Sequence, residues 1–121
     1  DAVDLRRLLQ ENRIAFDQDA RLQAVCRRVQ KSLSDDIDIE TLARDAGMSS
    51  RSLARLFQRE TGMGFLAWRQ QARLAEALAQ LSTGKPVALV AHDLGYASPA
   101  AFTAMFRRSL GTTREKYFAP R

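Results

Sequence analysis

The chain has 121 residues, 45% hydrophobic and 27% charged, which suits one compact domain or two very small ones on a shared core and excludes a disordered chain. Nineteen Lys+Arg against fourteen Asp+Glu give a formal charge of +5, and all the cations but Lys31, Lys85 and Lys116 are Arg, the side chain suited to bidentate recognition of phosphates and guanine edges. No apolar run approaches the ~20 residues that cross a bilayer, the single Cys26 forbids an internal disulfide and fits a reducing cytosol, and one His with one Cys cannot build an ordinary zinc site.

Charge is uneven along the chain. Residues 1–19 carry a net −2 and residues 20–121 a net +7, so the basic character belongs to the body. On charge alone, nucleic-acid binding and a merely solvated basic surface weigh about equally. The start Asp-Ala-Val-Asp lacks an initiator Met and the basic and apolar segments of a signal peptide. It reads as a fragment of something longer, with partial helix expected only around Leu5–Leu9.

The apolar period is helical almost throughout. Leu22, Val25, Cys26, Val29 and Leu33 form one stripe of a helix over 21–33, with Asp19 as its cap. The cluster Asp35-Asp36-Ile37-Asp38 reads as a solvated turn favouring the next helix start. That helix, 39–46, turns Ile39, Leu42, Ala43 and Ala46 inward and stops at Gly47. Ser49 caps a helix over 50–60 with Leu53, Leu56 and Phe57 inward. A longer helix, 65–82, has Leu66, Trp68, Ala72, Leu74, Ala75, Leu78 and Leu81 as its apolar positions. Thr83-Gly84-Lys85-Pro86 is the clearest break, with Pro86 at a good first-turn position, and a short helix follows over 87–94. Gly95 ends it, and Ser98-Pro99 starts a helix with Phe102, Met105 and Phe106 inward that ends near Leu110-Gly111. A last short helix is expected at 113–118, contributing Tyr117 and Phe118.

The chain repeats itself. At a shift of 49, Ser49 meets Ser98, Leu53 meets Phe102, Phe57 meets Phe106, Arg59 meets Arg108, Gly62 meets Gly111 and Trp68 meets Tyr117. Upstream of the serines the shift is 48, pairing Leu42 with Val90, Ala43 with Ala91, Asp45 with Asp93 and Gly47 with Gly95. Each copy reads as a helix-turn-helix: a small Ala where the helices cross, a Gly in the turn, a Ser cap. A packing hairpin would show one such pattern as readily. Two in register in a basic chain favour DNA.

The stretch from Thr41 through Gly47-Met48-Ser49 to Phe57 resembles the first helix-turn-helix of the arabinose-regulator (AraC/XylS-type) transcription factors. Val90 through Gly95-Tyr96-Ala97-Ser98-Pro99 to Gly111 resembles their signature second one. The joining Trp68-Arg-Gln-Gln-Ala-Arg-Leu74 is similar too. The likeness covers residues 19–119. It implies an all-α fold of about seven helices, with two helix-turn-helix subdomains joined by a long linker helix. Residues 1–18 would be a linker or the end of a missing N-terminal domain, 19–82 the first subdomain with the linker helix, and 83–121 the second.

A linker helix of ~17 residues is ~25 Å long, so two recognition helices could enter successive major grooves ~34 Å apart. The resemblance assigns base readout to Arg51, Ala54 and Arg55, with Ala100, Thr103 and Ala104 as their equivalents. Ser49, Ser50, Arg59, Ser98 and Arg107 are candidate phosphate contacts. Alanines cannot hydrogen-bond a base edge, so the second unit is expected to anchor while the first specifies. Arg114 after Thr113, and Gly64-Phe65 after Gly62, stand where the family commonly has Pro, which leaves local cap geometry open.

The expected function is therefore promoter or operator binding by a cytoplasmic, nucleoid-associated regulator, with activator as the expected role and the choice between activator and repressor left open because it lies outside this chain. Double-stranded DNA is the partner, RNA polymerase a further one, and an effector would act only through a domain absent here. The rival is a helical module for an acidic protein. No catalytic residue, cofactor, metal or membrane contact is expected: His92 beside Asp93 reads as a surface pair, Cys26 and Trp68 as core.

Overall fold

The computed structural model describes residues 19–111. The expected helices around Leu5–Leu9 and at 113–118, and Tyr117 with them, lie outside those residues. Among the described residues there are six helices and no strand: α1 (Ala20–Lys31), α2 (Ile39–Asp45), α3 (Ser50–Thr61), α4 (Phe65–Ser82), α5 (Val87–Asp93) and α6 (Pro99–Leu110).

Local chemistry sets each boundary. The Asp19 carboxylate accepts from the backbone N–H of Arg21 (2.8 Å) and Leu22 (3.3 Å), satisfying donors that a helix start leaves over. Asp38 does the same for Thr41 at the start of α2. Ser49 accepts from Ser52 N at 3.1 Å, and Ser98 from Ala101 N at 3.1 Å. Pro86 stands just before helix α5, which starts at Val87 as the sequence implies. It is the cap of α5, extended at ψ 140°, and its carbonyl accepts from Val90 N, because the residue before the first turn needs only a carbonyl and no N–H.

The two units are copies at the level of hydrogen bonds. Met48 N donates to Ala43 O at 2.8 Å, and Tyr96 N to Ala91 O at 2.9 Å. Gly47 N and Gly95 N each donate at 3.1 Å to the residue three before, Arg44 and His92. Gly47 and Gly95 sit at φ 72° and 83°, a left-handed conformation that a Cβ disfavours. Ala43 and Ala91 are both buried, which lets the crossing helices approach.

One continuous core joins the units, with α4 at its centre. Buried residues on α4 include Phe65, Trp68, Ala72, Leu74, Ala75, Ala77 and Leu78, so the helix is covered on more than one side. It packs on α3 before it and α5 after it. The Phe57 ring lies 5.4 Å from Phe65 and 5.6 Å from Trp68, both tilted. In the second unit, Tyr96 meets Phe102 edge-on at 5.4 Å.

The structure corrects the sequence reading in several places. Helix α1 stops at Lys31, so Leu33 packs from just beyond its end. Leu66, expected inward, is 68% exposed, and Phe65 is buried instead. Helix α4 starts at Phe65 itself on the cap Gly64. Phe65, Trp68 and Ala72 then share the face toward Phe57, and Leu66 turns about 100° away from it. The acidic cluster is more than a solvated turn. Asp36 pairs with Arg73 (2.9 Å) and stands 3.8 Å from Arg69.

Phe57 is fully buried between α3 and α4, so Phe57→Ala should destabilise by about 3–5 kcal/mol, seen as a lower denaturation midpoint in circular dichroism. The hydrogen bond from Arg73 holds the Asp36 carboxyl below its ordinary value. A folded-state pKa below the unfolded one stabilises fully above the carboxylate range and loses that contribution as pH falls through the lowered value. The stability gap between wild type and Asp36→Asn, from denaturant midpoints, should therefore close below about pH 4. Burial pushes the Cys26 thiol up to about 12, so it should resist alkylation until the protein unfolds.

Candidate nucleic-acid interface

Helix α3 buries Leu53, Leu56 and Phe57 and leaves Arg51, Ala54, Arg55 and Gln58 exposed, with Ser50 half-buried. Arg51 and Arg55 are one turn apart and project from the same strip. Among the described residues neither makes a hydrogen bond or an ion pair. Both guanidinium forks are therefore free to meet a planar acceptor.

A cleft of about 260 Å³ beside this strip is lined by Arg21, Met48, Ser52, Arg55, Leu56 and Arg59. Three guanidinium groups border it, two from α3 and one from the first turn of α1. Arg59 is in part engaged, its Nε lying 3.3 Å from Glu60 Oε1. Arg21 was not among the sequence candidates. Its neighbourhood depends on α1 packing across α3, and no local pattern in residues 19–31 signals that.

The two cap serines differ in what they can still offer. The Ser49 hydroxyl accepts from Ser52 N and also meets Ser52 Oγ at 2.9 Å. The Ser98 hydroxyl accepts from Ala101 N, which leaves its own O–H for an outside acceptor. On α6, Ala100, Ala101, Ala104, Arg107 and Arg108 are exposed and Thr103 is half-buried, while Phe102, Met105 and Phe106 form the core side. At the register positions of Arg51 and Arg55, α6 therefore presents methyl groups. Its cations sit a turn later, at 107 and 108.

His92 is exposed and Asp93 pairs with Lys85, an arrangement with no nucleophile in it. Among the described residues no cluster of His, Cys, Asp and Glu could hold a metal, and no helix is long and apolar enough to cross a membrane.

A family model described as a helix-turn-helix domain matches residues 42–119. The HTH-type transcriptional regulator NimR of Escherichia coli (strain K12) is 51% identical over 72 residues, covering 60% of this chain and 26% of that protein. The arabinose operon regulatory protein of the same organism is 28% identical over 103 residues, covering 84% of this chain and 35% of that one. The crystal structure of the DNA-binding domain of AdpA, a global transcriptional factor solved with a target DNA, matches with a TM-score of 0.70 at 34% identity, covering 82% of this chain and 90% of that one. The chain thus spans about a quarter to a third of the length of the two regulators, and these relatives are transcription regulators, not enzymes. A match running from within α2 through α6 takes in both turns and the helix between them, and it places the chain in the arabinose-regulator (AraC/XylS-type) family of transcription regulators, as a DNA-binding helix-turn-helix domain.

Proposed function

We propose that the domain binds a promoter or operator duplex with α3 and α6 in successive major grooves, and that base readout is concentrated in α3. The observation that carries this is the contrast between the equivalent strips: Arg51 and Arg55, exposed and without partners among the described residues, against Ala100 and Ala104. An Arg fork to a guanine is the commonest specific base contact. Alanine and the Thr103 methyl can touch only a thymine methyl. Ser49, Ser50, Arg59, Ser98 and Arg107 then hold phosphates and fix the register, aided by the N-terminal dipoles of two twelve-residue helices. Helix α4, 18 residues and about 27 Å long, supports a separation near one DNA turn.

On this reading residues 19–82 and 83–121 are the two subdomains, 1–18 is a linker or the end of an N-terminal domain, and an effector would act only through that domain. The regulator would work in the cytoplasm on the nucleoid, as an activator or a repressor, with RNA polymerase as a further partner.

Selection of bound duplexes from a random pool, followed by footprinting, should return a site of two half-sites on one face of the duplex. Arg55→Ala should relax base preference at one or two positions, by about 1–3 kcal/mol of discrimination, with Ala104→Gly altering it less. The reverse order would sink the asymmetry. Duplex binding should weaken with salt at a log–log slope of about −0.9 per phosphate contact. A flat salt response would instead support the acidic-protein module.

A further inference from the structure

We propose that residues 33–37, between α1 and α2, form a spacer that sets the position of α6 relative to α3, and that Gly95 is the point at which the second unit rests on it. This builds on the two-groove reading above. The two turn glycines occupy equivalent places with nearly the same φ, 72° at Gly47 and 83° at Gly95. Their surroundings differ. A Cβ added to Gly47 would meet nothing within 4 Å, whereas one on Gly95 would stand 2.5 Å from Ser34 O and 2.9 Å from Ser34 Cα. The first turn needs glycine for its conformation. The second needs it also because another stretch of main chain lies against it.

That main chain cannot easily withdraw. Arg73 Nε donates to Leu33 O at 2.7 Å, and its Nη2 donates to Asp35 O at 3.2 Å and to Asp36 Oδ1 at 2.9 Å. Arg69 Nη1 donates to Ile37 O at 2.8 Å. Both side chains are nearly covered, at 11% and 13% exposure. The same helix reaches the other side of the contact, where Gln70 Nε2 donates to the hydroxyl of Tyr96, the neighbour of Gly95, at 3.4 Å. Helix α4 therefore grips the loop of the first unit and touches the turn of the second, and Gly95 against Ser34 fixes how closely they meet. A Cβ at 95 would have to move the turn by at least 0.5 Å to reach even 3.0 Å from Ser34 O. The turn carries Ser98 and the start of α6 with it. Arg69, Arg73 and Gly95 are thus positioning residues for half-site spacing, with no contact to DNA of their own.

The test uses the 121-residue chain and the selected duplex, with zero, one or two base pairs inserted or deleted between the half-sites, and binding read by fluorescence anisotropy. Wild type should prefer one spacing. Gly95→Ala should lose roughly tenfold there, in the range of one mismatched base pair, with its optimum moved or flattened. Its affinity for the isolated first half-site should stay within about twofold, well under the cost of a mismatch. Gly47→Ala carries the same left-handed strain without the contact, so its spacing profile should parallel that of wild type. Arg73→Lys keeps the charge but not the fork to two carbonyls and should broaden the profile, which keeps the idea testable if Gly95→Ala folds poorly by circular dichroism. Profiles for Gly95→Ala and Arg73→Lys that parallel wild type would overturn the spacer while leaving the two-groove reading intact. A wild type indifferent to spacing would remove that reading, and the spacer with it.

Discussion

Two guanidinium groups turned inward from α4 hold the layout of the molecule. The carbonyls of Leu33, Asp35 and Ile37 lie in a segment outside any helix, with no helical ladder to satisfy them, and main-chain acceptors need donors. Arg69 and Arg73 provide them from one turn apart, across 32 to 40 residues of sequence. Covering two cations on one helix is unfavourable unless each is paired and its N–H groups are used. Asp36 supplies the counter-charge from the rim, where its own carboxylate stays hydrated. Arg69 also lies over the Phe65 ring at 4.9 Å, which ties the same group to the aromatic cluster. Burial, and then the charge of Arg73, pull Arg69 below its ordinary pKa. A lysine could keep the charge here but could not reach two carbonyls in a plane.

What the sequence made legible is what is written within a few residues. The stripe Leu22–Val25–Cys26–Val29–Leu33 is buried as its period implies. Asp19, Ser49 and Ser98 cap as their side-chain chemistry implies. The repeat at shifts of 48 and 49 reappears as matched hydrogen bonds in the two turns. Periodicity was less informative on α4, because a helix covered on several sides has no single apolar stripe, and so Phe65 and Leu66 exchanged places. Asp36, Arg21 and the Gly95–Ser34 approach stayed hidden for a different reason. Each depends on which distant element arrives beside it, and the identity of the residue carries no trace of that neighbour. Gly47 and Gly95 look alike in the sequence, and only the assembled fold separates them.

The two units share a backbone and differ in surface. On α3 the exposed strip carries long cations held away from any partner in the described chain. On α6 the same strip is nearly bare, and its charge lies a turn further on. The core sides remain equivalent, Phe57 answering to Phe106 and Leu53 to Phe102, all fully buried or nearly so. Residues that fix the fold and residues that would meet DNA therefore occupy opposite sides of the same helix, with little overlap between the two sets.

That division has a consequence for how such a domain can change. Ala100 and Ala104 face outward, in a helix whose cap, turn and core contacts involve neither side chain. Any good helix former could stand at either place with almost no effect on stability. If α6 enters a groove as proposed, a single substitution there could add a new base preference without a compensating change elsewhere, and several could be sampled in succession. On the proposed two-groove reading, the bare face of α6 is in this sense a reserve of evolvability: a second position there would gain or lose a specificity independently of the first.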